Sequence, residues 1–454
     1  MNKKKTKSWF LIKSIACLTV ATLLLPLMSA KILENENQIV EQKAVKTIDF
    51  LNSIGVNSAI SKRGESLDKT IALMKYTGIR WIRAGYEGDI PDADFIKLHK
   101  ETGVKFSYGL LSGGADISRL LAGARKLDAA GALLAFEGAN EPNNWGLNYN
   151  GKEGGKNLTW LPIAQLQKDL YQAVKEDAVL KKYPVWDLCE NGAQTDNVGL
   201  QFLEIPTGAG TLMPDGTKYA DFATCHNYFS HPSHPGLYDN QTWNAADPGP
   251  LCKVDGLYGN YGKTWRQKHQ GYTENKLLTL PRVTTETGVT LSEEINEEKQ
   301  ARLYLNLYLS QFKRNWSYTA VYLLRDRVDE AGNQTFGFYK PDYSPRKSAV
   351  YLHNLTTILA DKPSKFNLQK LAFQVVNQPE TVHTLLLQKS NGRFELVVWG
   401  EKAKGTEQVE IKLGKTYPLL KVYDPTKGTE AVQILKNTSS VKLTTSDHPF
   451  VVEI

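Results

Sequence analysis

Cysteine is scarce, at four in 454 residues. Cys17 lies within the first thirty residues, and the spacing of Cys189, Cys225 and Cys252 matches no zinc or disulfide framework. Stability must therefore come from a hydrophobic core, with at most one disulfide bridge. Long apolar runs are lacking too: the longest, 14–28, falls short of the roughly twenty residues that a membrane span needs, so no stable span is expected. A surplus of one charge sign is also missing. The formal net charge is +7, but five lysines and no acid lie in residues 1–30, which leaves the remainder near +2. That balance offers no footprint for nucleic acid and disfavours a strongly acidic polymer as partner.

The chain does have enough apolar residues, 41%, for a large core and a smaller second domain. Its start combines Lys3, Lys4, Lys5, Lys7 and Lys13 with an apolar run and then Ser29 and Ala30. This pattern predicts a cleavable signal peptide over 1–30 and a secreted, extracellular or periplasmic product.

From about residue 51 short apolar runs alternate with amphipathic stretches, as in repeated βα units on a parallel sheet. Strands are predicted over 54–60, 79–84, 104–111, 132–138, 184–189, 220–228, 282–287 and 319–324. Ile163, Leu166, Leu170 and Val174 share one helical face, as do Leu305, Tyr308, Leu309 and Phe312, and Asn296-Glu297-Glu298 reads as a helix start. Eight such units predict an α/β fold with a closed (β/α)8 barrel over 31–360, ahead of a doubly wound open sheet. After about Asp361 the pattern changes to alternating strands, with Asn391-Gly392 as a hairpin turn. A small β-sandwich is expected over 361–454, and because it lacks a clear aromatic strip a structural role is favoured over glycan binding.

Parallel barrels carry their chemistry at the carboxyl ends of the strands. Two glutamates fall there: Glu141, in Glu137-Gly-Ala-Asn-Glu-Pro-Asn after the fourth strand, and Glu286, in Val283-Thr-Thr-Glu-Thr-Gly at the end of the seventh. Glycoside hydrolysis needs two carboxyl groups across one bond, about 5–5.5 Å apart for retention and about 6.5–9.5 Å for inversion. One of them must hold a proton near neutrality while the other stays ionised.

With Asn140-Glu141-Pro142 after strand four and Thr284-Thr285-Glu286 ending strand seven, the barrel resembles the clan A glycoside hydrolases, most closely the family 39 and family 51 type with a terminal β-domain. The resemblance implies that Glu141 is the acid/base, Glu286 the nucleophile and Asn140 a ligand of the sugar 2-hydroxyl. It further implies that Tyr228 bonds Glu286, that His226 lines the site and that Arg83 sits near the nucleophile. The sequence departs from the type at strand eight, where Val321-Tyr-Leu-Leu-Arg-Asp lacks the usual tryptophan; Tyr322, Arg325 and Asp326 are the candidates to replace it.

Arg83 could equally be a structural partner of Glu137 or Asp89, and Glu137 reads as half of a buried ion pair. His226, His231 and His234 invite a metal, but Pro232 and Pro235 interrupt them and no HExxH-type pattern accompanies them, so no cofactor is expected. The loops after strands four and six hold Trp145, Tyr149, Trp160, Tyr238, Trp243, Tyr258, Tyr261 and Trp265. Trp145 and Trp243 are the foremost candidates for sugar platforms, while Trp399 reads as core of the β-domain. The sequence thus predicts a secreted retaining β-glycosidase, endo-acting on a polysaccharide. The rivals are a catalytically silent carbohydrate-binding protein on the same scaffold and a metallohydrolase built on the three histidines.

Overall fold

The computed structural model describes residues 38–85, 89–189, 200, 202–230, 236–247 and 274–454. The expected signal peptide, His231, His234, Cys252, Tyr258, Tyr261 and Trp265 lie outside them. Among the described residues no helix is long and apolar enough to cross a membrane, Cys189 is a free, buried thiol and Cys225 is buried.

Eight parallel strands form a nearly closed ring. In chain order they are Ile54–Asn57, Trp81–Gly85, Lys105–Leu111, Leu133–Ala139, Val185–Trp186, Ala223–Cys225, Arg282–Thr287 and Trp316–Val321. Each pairs with the next, and the eighth returns to the first. Only the seam between the fifth and sixth departs from a full ladder, being joined by one parallel bridge, Trp186 to Phe222. Both of these strands are shorter than predicted, because beyond Trp186 and Cys225 the backbone leaves the ladder for the barrel mouth. The eighth strand begins three residues earlier than predicted.

Alternation along the strands stacks side chains inside the ring. The lower layer is aromatic: Trp81, Trp186 and Tyr318 have ring centroids 5.4–5.8 Å apart, with Ala135, Val283 and Ala320 beside them. Gly55 is required at this level, since a Cβ there would lie 2.0 Å from the Trp81 indole. Two residues further up strands two and four, the same inward face presents Arg83 and Glu137. A dry aromatic floor thus underlies a buried charged layer.

The predicted helices form and pack as their periodicity demands. Leu161–Glu176 buries Ile163, Leu166, Leu170 and Val174. Glu297–Lys313 is capped by Asn296, whose side chain accepts from the Lys299 amide at 2.9 Å.

The C-terminal strands make a second, antiparallel-dominated sheet around one apolar core that includes Phe373, Leu396, Ile411, Leu420 and Val452. Its strand Glu407–Tyr423 pairs with Lys370–Val376 through its first half and with Pro449–Glu453 through its second, so one long strand serves both halves of the sheet. Val40–Lys43 and Val45–Lys46, which the sequence places in the barrel segment, join this sheet instead, pairing with Lys370–Val376 and Val382–Gln388. Their own residues are almost all exposed, so the ladder and not a local apolar pattern recruits them. The sheet is fastened to the barrel through helix Glu297–Lys313, where Asn306 Nδ2 donates to the carbonyls of Gly400 (2.8 Å) and Asp447 (3.0 Å).

Candidate active site

Arg83 organises the mouth of the barrel from below. Its guanidinium donates to Glu137 Oε1 (2.8 Å), Glu286 Oε1 (2.5 Å) and Asn140 Oδ1 (2.8 Å), and lies 3.3 Å from Cys189 Sγ. Both sequence readings of Arg83 therefore hold geometrically: it pairs with Glu137 and it touches Glu286. Asp89 is not its partner but pairs with Arg119. Such a fork can serve two carboxylates at once, which a lysine ammonium cannot do with the same geometry.

Strand four ends at Ala139, and the chain turns sharply at Glu141, whose φ of +42° lies in the left-handed region. A non-glycine residue is held there only when its surroundings dictate it. Here the Glu141 amide donates to the Cys189 carbonyl (2.8 Å), and the Glu141 carbonyl accepts from the amides of Asn144 and Trp145 (both 2.8 Å). The turn aims the Glu141 carboxyl across the mouth, where Oε1 meets His226 Nδ1 at 2.7 Å and Oε2 accepts from Asn144 Nδ2 at 3.0 Å.

Glu286 arrives from the opposite side at the end of strand seven. Tyr228 donates to its Oε2 at 3.0 Å, and His226 Nδ1 stands 3.5 Å from the same oxygen. The fully buried imidazole thus sits between the two carboxylates, with Nε2 3.2 Å from Thr285 Oγ1. An oxygen of Glu141 and an oxygen of Glu286 lie within 4.8 Å of each other.

These contacts set the protonation of the site. Burial alone would raise the Glu141 carboxyl, but the hydrogen bond and charge of His226, the Asn144 amide and Arg83 outweigh it and hold Glu141 below the usual carboxylate range. Burial would lower the His226 imidazole, yet the Cys189 sulfur, Glu286 and the bond to Glu141 raise it well above its ordinary value. Both shifts favour the proton of this pair on the imidazole. That differs from the expectation of a carboxyl holding its own proton, because the buried imidazole competes for it. Burial, and then the charge of Glu286, raises the Tyr228 phenol, which stays a donor.

A cavity of about 760 Å³ opens above these groups, lined among others by Asn57, Ser58, Arg83, Asn140, Glu141, Trp145, Glu286 and Tyr322. Asn140 also donates to Ser112 Oγ at 3.0 Å. Of the strand-eight candidates, Tyr322 lines the cavity, whereas Arg325 donates to the Pro341 carbonyl and Asp326 pairs with Arg346. Trp145 stands at the cavity with half of its surface exposed. Trp243 does not join it. Its ring stacks on His383 (centroids 3.9 Å apart), lies 4.1 Å from the Arg314 guanidinium and neighbours the fully buried Trp399. The junction between barrel and sheet, not a sugar, occupies that indole. Trp160 is buried in its loop, whereas Tyr149 donates to Asp169 and lines a second concavity beside residues 113–119.

Sequence reasoning overlooked Asn144, which holds Glu141, and it overlooked Lys62, Arg63, Arg327 and Glu330, which line the cavity. The Asn-rich run after Pro142 is the one local signal for Asn144. Ligand atoms of Glu137, Cys189 and His226, and of Glu141, His226 and Glu286, cluster closely enough to hold an ion. Arg83, however, already places a fixed cation among the same carboxylates, and both His226 nitrogens have partners.

No protein-family model and no curated protein matches the sequence. Many solved structures match the fold. A family 39 glycoside hydrolase from Bacteroides cellulosilyticus WH2 matches with a TM-score of 0.55 over 90% of this chain and 83% of its own, at 15% identity. The family 51 arabinofuranosidase from Xanthomonas axonopodis pv. citri gives 0.52 over 92% and 97%, at 12% identity. An endo-β1,6-glucanase gives 0.51 over 92% and 94%, at 13% identity. The chain shares its fold with glycoside hydrolases, families 39 and 51 among them.

Proposed function

We propose that the protein is a secreted retaining β-glycosidase that cleaves a polysaccharide internally. The observation that carries this reading is the approach of the Glu141 and Glu286 oxygens to within 4.8 Å across the mouth, a gap suited to direct attack by one carboxylate and too narrow for the water that inversion places between them. In the first step Glu286 attacks the anomeric carbon and the glycosidic C–O bond breaks. The leaving oxygen takes its proton from Glu141, which receives it from His226 as the alkoxide develops. Water then enters, Glu141 removes its proton, and the glycosyl–Glu286 ester is released. Arg83 and Tyr228 hold Glu286 aimed at the anomeric carbon.

Endo action is favoured by a second concavity, lined by residues 113–119 and 148–150, which follows on from Ser112 and Trp145 of the first. Export rests on the 1–30 pattern, and the C-terminal sheet, taken as a β-sandwich, serves as a structural flank of the barrel. The test is to follow reducing ends from β-linked polysaccharides with the wild type and with Glu286→Ala, adding azide to the variant. Turnover by the wild type, with a glycosyl azide from the variant, is expected. Binding without turnover would favour the silent carbohydrate-binding reading, and loss of activity in chelator would favour a metallohydrolase.

A further inference from the structure

One wall of the cavity differs in character from the rest. Lys62 and Arg63, in the loop after strand one, and Arg327, after strand eight, line it together. Arg63 is satisfied, donating to Asp329 (2.7 Å) and Glu330 (2.6 Å). Arg327 is not. Its side chain is 8% exposed, yet among the described residues Nε and Nη1 make no hydrogen bond, and its ion pairs with Glu330 and Glu65 are long, at 3.8 and 3.9 Å. Glu65 is a poor counter-ion because burial pushes its carboxyl up against the hydrogen bonds from Ser58 and Ala59. Lys62 lines the cavity beside them, its backbone bonded to Ala59 and Glu65 and its ammonium without an ion pair or hydrogen bond among the described residues. A buried guanidinium whose donors are left unmade is costly unless something else receives them.

We infer that Lys62 and Arg327 form an anion subsite, and that the substrate is a glycan bearing a carboxylate or a sulfate ester on the sugar held there. The inference rests on the glycosidase reading and names its substrate class. The position of the anion follows from Tyr322, which lines the same cavity as Glu286 and donates to Glu330 at 2.8 Å, so the basic wall begins one side chain away from the nucleophile. A planar carboxylate or a sulfate can take two parallel bonds from the Arg327 fork while Lys62 closes over it as a point charge. The near-neutral balance of the whole sequence, which by itself disfavours a strongly acidic polymer, is outweighed here, because the local field of a cleft and not the molecular sum selects a ligand.

The test uses the Glu286→Gln chain, so that ligands stay intact, and measures calorimetric binding of three β-linked oligosaccharides of equal length: one with uronates, one O-sulfated and one neutral. At least one acidic ligand is expected to bind about tenfold or more tighter than the neutral one, the scale of one charge-assisted contact, and to weaken with added salt. Selectivity for the uronate or for the sulfated ligand identifies the anion. Lys62→Ala and Arg327→Gln, each added to Glu286→Gln, should remove most of the preference; if Arg327→Gln fails to fold, the exposed Lys62 carries the test. Equal binding of all three, or a preference that survives Lys62→Ala, overturns the subsite. Acid-selective binding by a wild type that cleaves none of the three would leave the subsite standing and remove the glycosidase reading. Cleavage of the neutral ligand alone would do the reverse.

Discussion

Two of the places where this molecule buries carboxylates treat them differently. At the junction of barrel and sheet, Glu401 accepts from Thr242 Oγ1 (2.6 Å), Ser310 Oγ (2.7 Å), Trp399 Nε1 (3.2 Å) and the amides of Thr242 and Trp243 (2.9 and 3.0 Å). Five neutral donors surround it, and it is almost fully buried. At the barrel mouth, Glu141 and Glu286 are held from below by His226, Asn144, Arg83 and Tyr228, and their upper sides face a cavity. Glu141 also sits on a strained backbone. A closed shell of donors is what a carboxylate needs to be structural, whereas a half-built shell with strain beneath it leaves room for a reaction.

Replacing one carboxylate at each place should separate these roles. Glu286→Gln is expected to lower kcat by on the order of 10⁴-fold or more while leaving the melting temperature nearly unchanged, measured on a cleaved polysaccharide and by calorimetry. A large fall in stability would erase the distinction. Arg83→Leu comes next, since Arg83 belongs to both categories. It strands Glu137 and Glu286 together, and a cost of about 3–5 kcal/mol is expected from denaturant titration, with activity lost as well. Glu401→Leu should follow at about 3 kcal/mol, because several donors lose their only acceptor, with kcat/KM retained in the protein that stays folded.

The contrast also explains what the sequence could show. Glu141 and Glu286 were legible because each ends a strand in a repeating pattern, and Arg83 because it ends strand two, where the resemblance implies an arginine near the nucleophile. The barrel was legible for the same reason, down to the helix faces of Ile163 and Leu305. Trp243 was misplaced because composition marks an aromatic loop without giving the direction of each ring, and here His383, from the other domain, captures it. Lys62 and Arg327 were invisible as a pair because ring closure between strands eight and one, not any local spacing, brings them together. The sheet's use of Val40–Lys43 has the same cause, a long-range ladder with no apolar signature of its own.

The smallest expected change sharpens the comparison most, because it concerns protons instead of contacts. With His226 in place, the proton of the acid/base pair is held by an imidazole raised well above its usual value, and Glu141 lies below its own. Stability from the raised imidazole is present below its unfolded value of about 6.5 and lost as pH climbs through its folded one; that from the lowered Glu141 is present above about 4.3 and lost as pH falls through its folded one. In His226→Gln both influences of the imidazole on Glu141 vanish and burial dominates, so the carboxyl rises and holds the proton itself. The alkaline limb of the kcat/KM profile should therefore move to lower pH in the variant, with kcat at the optimum reduced by about 10²-fold or less. The same substitution should leave the acidity of Glu401 untouched, since no imidazole belongs to its shell. An alkaline limb that stays where it was would show that the proton used in catalysis is not drawn from the His226–Glu141 pair, and would return Glu141 to the simpler role of a carboxyl that carries its own.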